Sequence, residues 1–177
     1  MKIEYKLTND DFLEFQLYTA SKSKTIEKKR RFGRIIIPLL YFGIAAYSLI
    51  NDSVLFGIIL LVFGLIWFVF YPRYSKYRYK RHYKNHIAEH YQNRVNITEE
   101  LIFEENFVFS KDNSSEAKIE VEEFEYLIEL KAYFFLTLKR GISFIIPKSQ
   151  VTDVMAFKNK IEKLGIQYVN ELEWEWH

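Results

Sequence analysis

The 177-residue chain contains no cysteine, only three prolines and six glycines, and has two long segments without a charged residue. The absence of cysteine excludes a disulfide framework and thiol chemistry. The sequence also lacks the motifs GxxxxGKS/T, GxGxxG and GxSxG, so it shows neither a phosphate-binding loop nor a serine nucleophile elbow. These absences favour a protein that is not an enzyme and has no cofactor.

The two uncharged segments are residues 35–50 and 54–71, and a polar gap, Asn51–Ser53, separates them. A helix needs roughly 17–25 apolar residues to cross the hydrocarbon core of a bilayer. The second segment has eighteen residues, and the first has sixteen, or nineteen if residues 32–34 are included with a snorkelling arginine. The pattern predicts a transmembrane helical hairpin over residues 35–71. The alternative is a buried hairpin in a soluble protein, but a chain this short could hardly cover it on all sides.

Basic residues flank the predicted hairpin on both sides. Seven Lys and Arg residues against one Glu lie between residues 22 and 34, and six without an acidic residue lie between residues 73 and 84. The tip carries only Asp52. Because Lys- and Arg-rich flanks stay on the cytoplasmic side, we expect a multi-pass protein of the bacterial cell membrane with both termini in the cytoplasm.

The flanks also carry the aromatic side chains typical of a membrane–water interface. Anionic headgroups attract juxtamembrane basic residues by about 1 kcal/mol each, which makes the anionic inner leaflet the expected partner. The predicted interface consists of Arg30, Arg31, Arg34, Trp67, Tyr71, Arg73, Tyr74, Lys76, Tyr77, Arg78, Lys80, Arg81 and Lys84. Nucleic acid is the other usual partner of a basic block, but the adjoining apolar segments explain the charge without it.

Small residues inside the hairpin predict close packing of helices. Gly57 and Gly64 are seven residues apart and therefore share a helical face. Small residues let membrane helices approach closely, either within one hairpin or between the hairpins of a homodimer.

The periodicity of apolar residues divides the chain into four regions. Residues 1–34 begin with a strand over 2–7, and the capping-box pair Thr8 and Asp11 starts a basic amphipathic helix that is expected to run on toward Pro38. The hairpin follows over residues 35–71. Residues 72–94, which begin at a proline expected to mark a boundary, predict a basic helix rich in Tyr and His.

Residues 95–177 form the fourth region, in which apolar residues alternate with polar ones up to Pro147. An amphipathic helix is then predicted over residues 151–164, ended by Gly165. The region predicts an antiparallel β domain closed by a C-terminal helix, to which the N-terminal residues could add a strand. Residues 22–94 carry a net charge of +11 and residues 95–177 a net charge of −7.

The order of these features resembles a known family. The start IEYKLTNDDF, the hairpin and the helix YRYKRHYKNHIAEHY are followed by ITEELI, YLIELKAYFFLTL and FIIPKSQV. This layout is similar to the YcxB-like family of small bacterial membrane proteins. The resemblance implies an α+β fold with a pleckstrin-homology-like cytoplasmic tail. Ala117 and Lys118 stand where such tails often carry a Trp, and the resemblance brings no functional residue with it.

Three histidines are four residues apart on the predicted basic helix: His82, His86 and His90. Histidines at this spacing share a helical face and can share a metal ion. The HExxH order is absent because Glu89 follows His86 by three, and a bound cation would lie near Arg81 and Lys84. The alternative is an ordinary polar helix face at headgroup level, and we therefore expect neither a metal site nor catalysis here.

Three functions are compatible with this sequence. The leading hypothesis is a non-enzymatic inner-membrane protein whose hairpin anchors a cytoplasmic β domain that binds a protein or peptide. The second is a membrane immunity or resistance factor whose hairpin meets a toxin or bacteriocin in the bilayer. The third is a lipid or metal sensor that works through the basic helix.

Overall fold

The computed structural model describes residues 1–176, which form an α+β structure with four α-helices and eight strands. These residues divide into two compact units. An α+β unit contains residues 1–15 and 84–175, and a helical unit contains residues 16–83 together with Trp176. The first residues of the chain therefore fold with its C-terminal half.

The first sheet of the α+β unit is antiparallel throughout. It has the order β1-β2-β3-β4, formed by β1 Lys2–Lys6, β2 Thr98–Phe103, β3 Phe107–Lys111 and β4 Glu116–Glu120. Strand β1 pairs Ile3 with Leu101 and Tyr5 with Glu99. The side chains of Ile3 and Tyr5 are buried, so the N-terminal strand contributes to the core of this unit.

The second sheet is mixed. Its order is β7-β6-β5-β8, formed by β5 Phe124–Glu129, β6 Tyr133–Leu138, β7 Ser143–Pro147 and β8 Gln167–Asn170. Strands β5, β6 and β7 are antiparallel, whereas β8 lies parallel to β5. The predicted antiparallel arrangement therefore holds for β5, β6 and β7 but is wrong for β8, and the predicted C-terminal helix is followed by a strand. Helix α4, Val154–Lys163, supplies the crossover that a parallel strand requires, and β8 follows it.

Helix α4 packs against both sheets. The helix begins at Asp153, whose carboxylate accepts a backbone N–H at 2.9 Å, and the chain leaves it at Gly165, which has a φ of 76°. Phe157 of α4 is fully buried. Its ring centroid lies 5.6 Å from that of Phe103 in β2 and 5.1 Å from that of Phe134 in β6. One aromatic side chain thus joins the two sheets in a common core.

Helix α1, Asn9–Lys22, begins with the predicted capping box. The Asp11 carboxylate accepts the Thr8 backbone N–H at 2.6 Å, and the Thr8 hydroxyl accepts the Asp11 N–H at 3.3 Å. The helix does not continue into the basic stretch, so that prediction is wrong. Ser23 accepts a backbone N–H at 3.4 Å and starts a new helix, α2, Lys24–Ile50, because serine at an N-cap satisfies a free helix donor.

The helical unit contains two helices that are long and apolar enough to cross a bilayer, α2 and α3, Val54–His90. In the most apolar part of each helix only 17% and 11% of the residues are buried. A core helix of a soluble protein would be mostly buried. The exposure therefore argues against a hairpin hidden in a soluble core.

Pro72 lies inside α3 and does not end it, contrary to the predicted boundary. A proline cannot donate to the carbonyl oxygen four residues earlier, which here belongs to Phe68. The Nε–H of Arg34 on α2 donates to this oxygen at 3.4 Å. The free acceptor is thereby satisfied from the neighbouring helix, and α3 continues.

Candidate functional site

Glycines allow close contact between α2 and α3. A methyl group added to Gly64 would lie 2.6 Å from the Phe42 ring, and one added to Gly57 would lie 2.8 Å from the Leu49 side chain. A methyl group added to Gly43 would meet no atom of another helix within 4 Å. The face that Gly57 and Gly64 share therefore lies against α2.

An aromatic cluster lies where the uncharged parts of the two helices end. The indole N–H of Trp67 donates to the carbonyl oxygen of Gly33 at 3.1 Å. The Trp67 ring centroid is 5.5 Å from that of Tyr71 and 6.2 Å from that of Tyr74. This cluster joins α2 to α3 at the end of the helix pair that adjoins the basic flanks, which we call the polar end of the hairpin.

The next helical turns add a second set of contacts between α2, α3 and the last residue that the structure describes. The Nε–H of Arg30 donates to the Ser75 hydroxyl at 3.1 Å, and its guanidinium lies 4.9 Å from the Trp176 ring centroid. The indole N–H of Trp176 donates to the Lys76 carbonyl oxygen at 3.2 Å. Its ring stands edge-on to Tyr79 at 6.2 Å. The buried Trp176 is thus anchored within the helical unit.

A cavity of about 340 Å³ opens between α2 and α3 at this level. It is lined by Lys29, Tyr71, Tyr74, Ser75, Arg78, Tyr79 and His82. None of these lining residues is acidic. Among residues 1–176 the lining therefore offers cationic and hydroxyl-bearing side chains without a carboxylate, which is a composition that suits an anion with several oxygen acceptors.

The predicted interface residues have different positions in the structure. Tyr71, Tyr74 and Arg78 line the cavity, and Arg31 forms an exposed ion pair with Glu27 at 2.6 Å. Further members have exposed side chains on α3, namely Arg73, Lys76, Tyr77, Lys80, Arg81 and Lys84.

Sequence reasoning missed four residues of this region: Lys29, Ser75, Tyr79 and Trp176. The basic run around Lys29 was visible in the sequence, but its approach to α3 was not. The alternation of Trp and Glu in the tail is compatible with an edge strand, an interfacial segment or a frayed end, and none of these three readings identifies a contact of Trp176. The structure gives Trp176 a buried position in the helical unit.

The three histidines do not form one group. His82 lines the cavity of the helical unit, whereas His86 and His90 belong to the part of α3 in the α+β unit. The rings of His86 and His90 are 4.4 Å apart, and Nδ1 of His90 lies 3.0 Å from the His86 carbonyl oxygen. Within residues 1–176, no group of three or more His, Cys, Asp or Glu residues is placed to hold a metal ion.

A second cavity, of about 480 Å³, lies on the first sheet of the α+β unit. We call it the β4 groove; its lining consists of Glu100, Ile102, Phe109, Ser110, Lys111, Glu116, Ala117 and Lys118. Lys111 and Glu116 form an ion pair, and the Lys118 ammonium lies 3.7 Å from the Phe107 ring centroid. Strand β4 is the last strand of its sheet, so the groove adjoins an edge with unpaired main-chain groups.

Glu129 is a buried carboxylate of the α+β unit that accepts hydrogen bonds from three side chains. Its oxygens accept hydrogen bonds from Lys148 and Lys158, both at 2.6 Å, and from the Tyr168 hydroxyl. Burial raises the pKa of Glu129, but these hydrogen bonds outweigh burial and lower the pKa to about 2. A carboxylate that stays ionised and fully paired cannot take up a proton near neutral pH. The cluster therefore serves to join four chain segments.

Comparisons with known proteins do not assign the chain to a family. Protein-family models, curated proteins and solved structures give no significant match. The similarity to the YcxB-like family remains a prediction, and the function is inferred from geometry alone.

Proposed function

We propose that this chain is a non-enzymatic membrane protein whose helical hairpin anchors an α+β domain that binds a protein or peptide. The exposure of the apolar side chains of α2 and α3 carries the anchoring part. Monomeric soluble proteins rarely expose contiguous apolar patches of more than a few hundred Å². Two helices with most of the large apolar side chains of their uncharged segments exposed exceed this limit, and a bilayer would cover them.

The charge distribution supports one orientation of the hairpin. Both basic flanks adjoin the same end, and the tip holds only Asp52. Lys- and Arg-rich flanks remain in the cytoplasm. We therefore infer that both flanks and the α+β domain lie on the cytoplasmic side, where the anionic inner leaflet attracts the basic residues.

The β4 groove supports the binding part of the proposal. The main chain of β4 has a free edge, and Ile102 and Phe109 provide apolar surface beside it. An extended segment of a partner can pair with such an edge and place alternate side chains in the groove. The antiparallel β5–β7 strands followed by α4 also support the pleckstrin-homology-like architecture that the family resemblance implies.

Membrane fractionation and site-specific crosslinking test the two parts separately. The full chain should stay in the membrane pellet after a carbonate wash, and its release would contradict the anchor. A photo-crosslinking amino acid at Ala117 should give a defined adduct with an extended segment of one partner. The same amino acid at Met155, which is 65% exposed on α4, is the control. Equal adducts at both positions, or none at Ala117, would contradict the binding surface.

A further inference from the structure

We propose that the cavity between α2 and α3 binds the phosphodiester headgroup of an anionic phospholipid. This inference rests on the proposed membrane anchoring and gives the hairpin a specific lipid ligand. It differs from a general attraction between basic helices and the inner leaflet, because it assigns the headgroup to particular residues.

The location of the cavity matches that of a headgroup. Its lining begins at Tyr71, the last residue of the uncharged segment 54–71, and continues along α3 to His82. Lys29 reaches it from α2, on the polar side of Gly33. The charged groups are therefore placed just outside the hydrocarbon core, where lipid phosphates lie. Basic pockets between membrane helices on the cytoplasmic side are suited to anionic headgroups.

The charged groups of the cavity are available to a ligand. Within residues 1–176, Lys29 and Arg78 have no acidic partner at ion-pair distance. Arg31, which is two residues from Lys29 in the same basic run, is paired with Glu27 instead. Two cations from different helices can thus bind one phosphate, and the planar guanidinium of Arg78 matches two of its oxygens.

Residues that carry hydroxyl groups add neutral donors to the lining of the cavity. The buried Ser75 accepts a hydrogen bond from Arg30, which leaves its own hydroxyl hydrogen available for donation. Tyr71, Tyr74 and Tyr79, whose side chains each carry a hydroxyl group, also line the cavity. A lining that combines two cationic side chains with residues carrying hydroxyl groups suits a phosphate that carries a glycerol, whose oxygens accept and donate hydrogen bonds.

A pair of charge-matched double variants separates a defined site from diffuse attraction. Lys29→Gln/Arg78→Gln removes two positive charges from the cavity, and Lys80→Gln/Arg81→Gln removes two from α3 outside it. The full chain in neutral detergent micelles is titrated with phosphatidylglycerol or phosphatidylcholine, and bound lipid is counted by native mass spectrometry. Thermal unfolding of each variant confirms that it is folded.

We expect the unmodified chain to prefer phosphatidylglycerol, and the cavity variant to lose about tenfold in affinity. The control variant should lose less affinity than the cavity variant, because it weakens only the general attraction between basic side chains and anionic lipid. Equal losses in the two variants, or no preference for phosphatidylglycerol, would overturn the inference. Displacement of the lipid by an equal concentration of soluble glycerol phosphate would overturn the lipid as occupant and identify a free phosphate ester. If the chain resists the carbonate wash but shows no preference for phosphatidylglycerol, only the proposed lipid site is contradicted. If carbonate releases the chain, the proposed membrane anchor is contradicted.

Discussion

The Nε–H of Arg34 donates to the carbonyl oxygen of Phe68, 3.4 Å away. Pro72 leaves this oxygen without a donor in its own helix. The guanidinium of Arg34 also lies 4.4 Å from the Phe68 ring centroid. A side chain of α2 therefore compensates for the hydrogen bond that proline removes from α3, and it does so at the polar end of the hairpin.

This compensation predicts that the effect of Arg34 depends on Pro72. Arg34→Met should destabilise the hairpin by about 1–2 kcal/mol, because it leaves the Phe68 carbonyl unpaired. With Pro72→Ala present, the new backbone N–H satisfies that oxygen, and the cost of Arg34→Met should fall. Unfolding of the detergent-solubilised protein, measured for both single variants and the double variant, gives the coupling. Equal costs in the two backgrounds would contradict the compensation.

The contact between Gly64 and Phe42 predicts a position-specific effect of size. Gly64→Leu should destabilise the packed helices by about 1–3 kcal/mol, because the added atoms overlap the Phe42 ring. Gly43→Leu is the matched control, since a side chain there meets open space. Unfolding midpoints in detergent should separate the two variants, and similar midpoints would argue against the observed helix contact.

The lowered pKa of Glu129 predicts how the free energy of unfolding depends on pH. Its pKa of about 2 in the folded chain is below the ordinary value of 4.5, so its stabilising contribution is present above about pH 4.5 and is lost as the pH falls toward 2. Glu129→Gln should cost on the order of 3 kcal/mol at neutral pH and flatten the loss of stability between pH 5 and about 2. Denaturation at several pH values measures this. Glu122→Gln, at an exposed position, should leave the profile unchanged.

The two hydrogen-bonding contacts of the Asp11 carboxylate lead us to expect that the start of the chain stabilises the α+β unit. One of its oxygens caps α1, and the other accepts a hydrogen bond from the Tyr133 hydroxyl at 2.8 Å. Tyr133→Phe should cost about 1 kcal/mol, and Asp11→Ala should cost more because it also removes the capping box. Chemical denaturation measures both. If Tyr133→Phe costs as much in the Asp11→Ala background, the hydrogen bond contributes no stability.

The absence of cysteine allows a direct measurement of topology. Single cysteines at Ser53, in the tip, and at Lys163, exposed on α4, introduce one label site each. In intact cells a membrane-impermeant maleimide should label the cysteine at position 53 only, and the cysteine at position 163 should require permeabilisation. The reverse pattern would contradict the proposed orientation.

Features that depend on neighbours in the sequence were predictable from the sequence alone. The two uncharged segments, the capping box of Thr8 and Asp11, the alternating strands and the turn at Gly165 depend on contacts within a few residues. Their patterns therefore predicted helices, strands and ends close to those observed. The basic flanks predicted from the sequence contain Lys29 and Arg78, which line the cavity of the helical unit.

Contacts between residues that are distant in the sequence determined the features that the sequence did not predict. The sequence cannot show that Arg34 would satisfy the acceptor freed by Pro72, or that Lys29 and Arg78 would line one cavity, because both arrangements arise only when α2 packs on α3. The parallel placement of β8 beside β5 likewise depends on the path of the chain after α4. Local pattern determined which elements form, whereas long-range packing determined where they pair and which side chains they bring together.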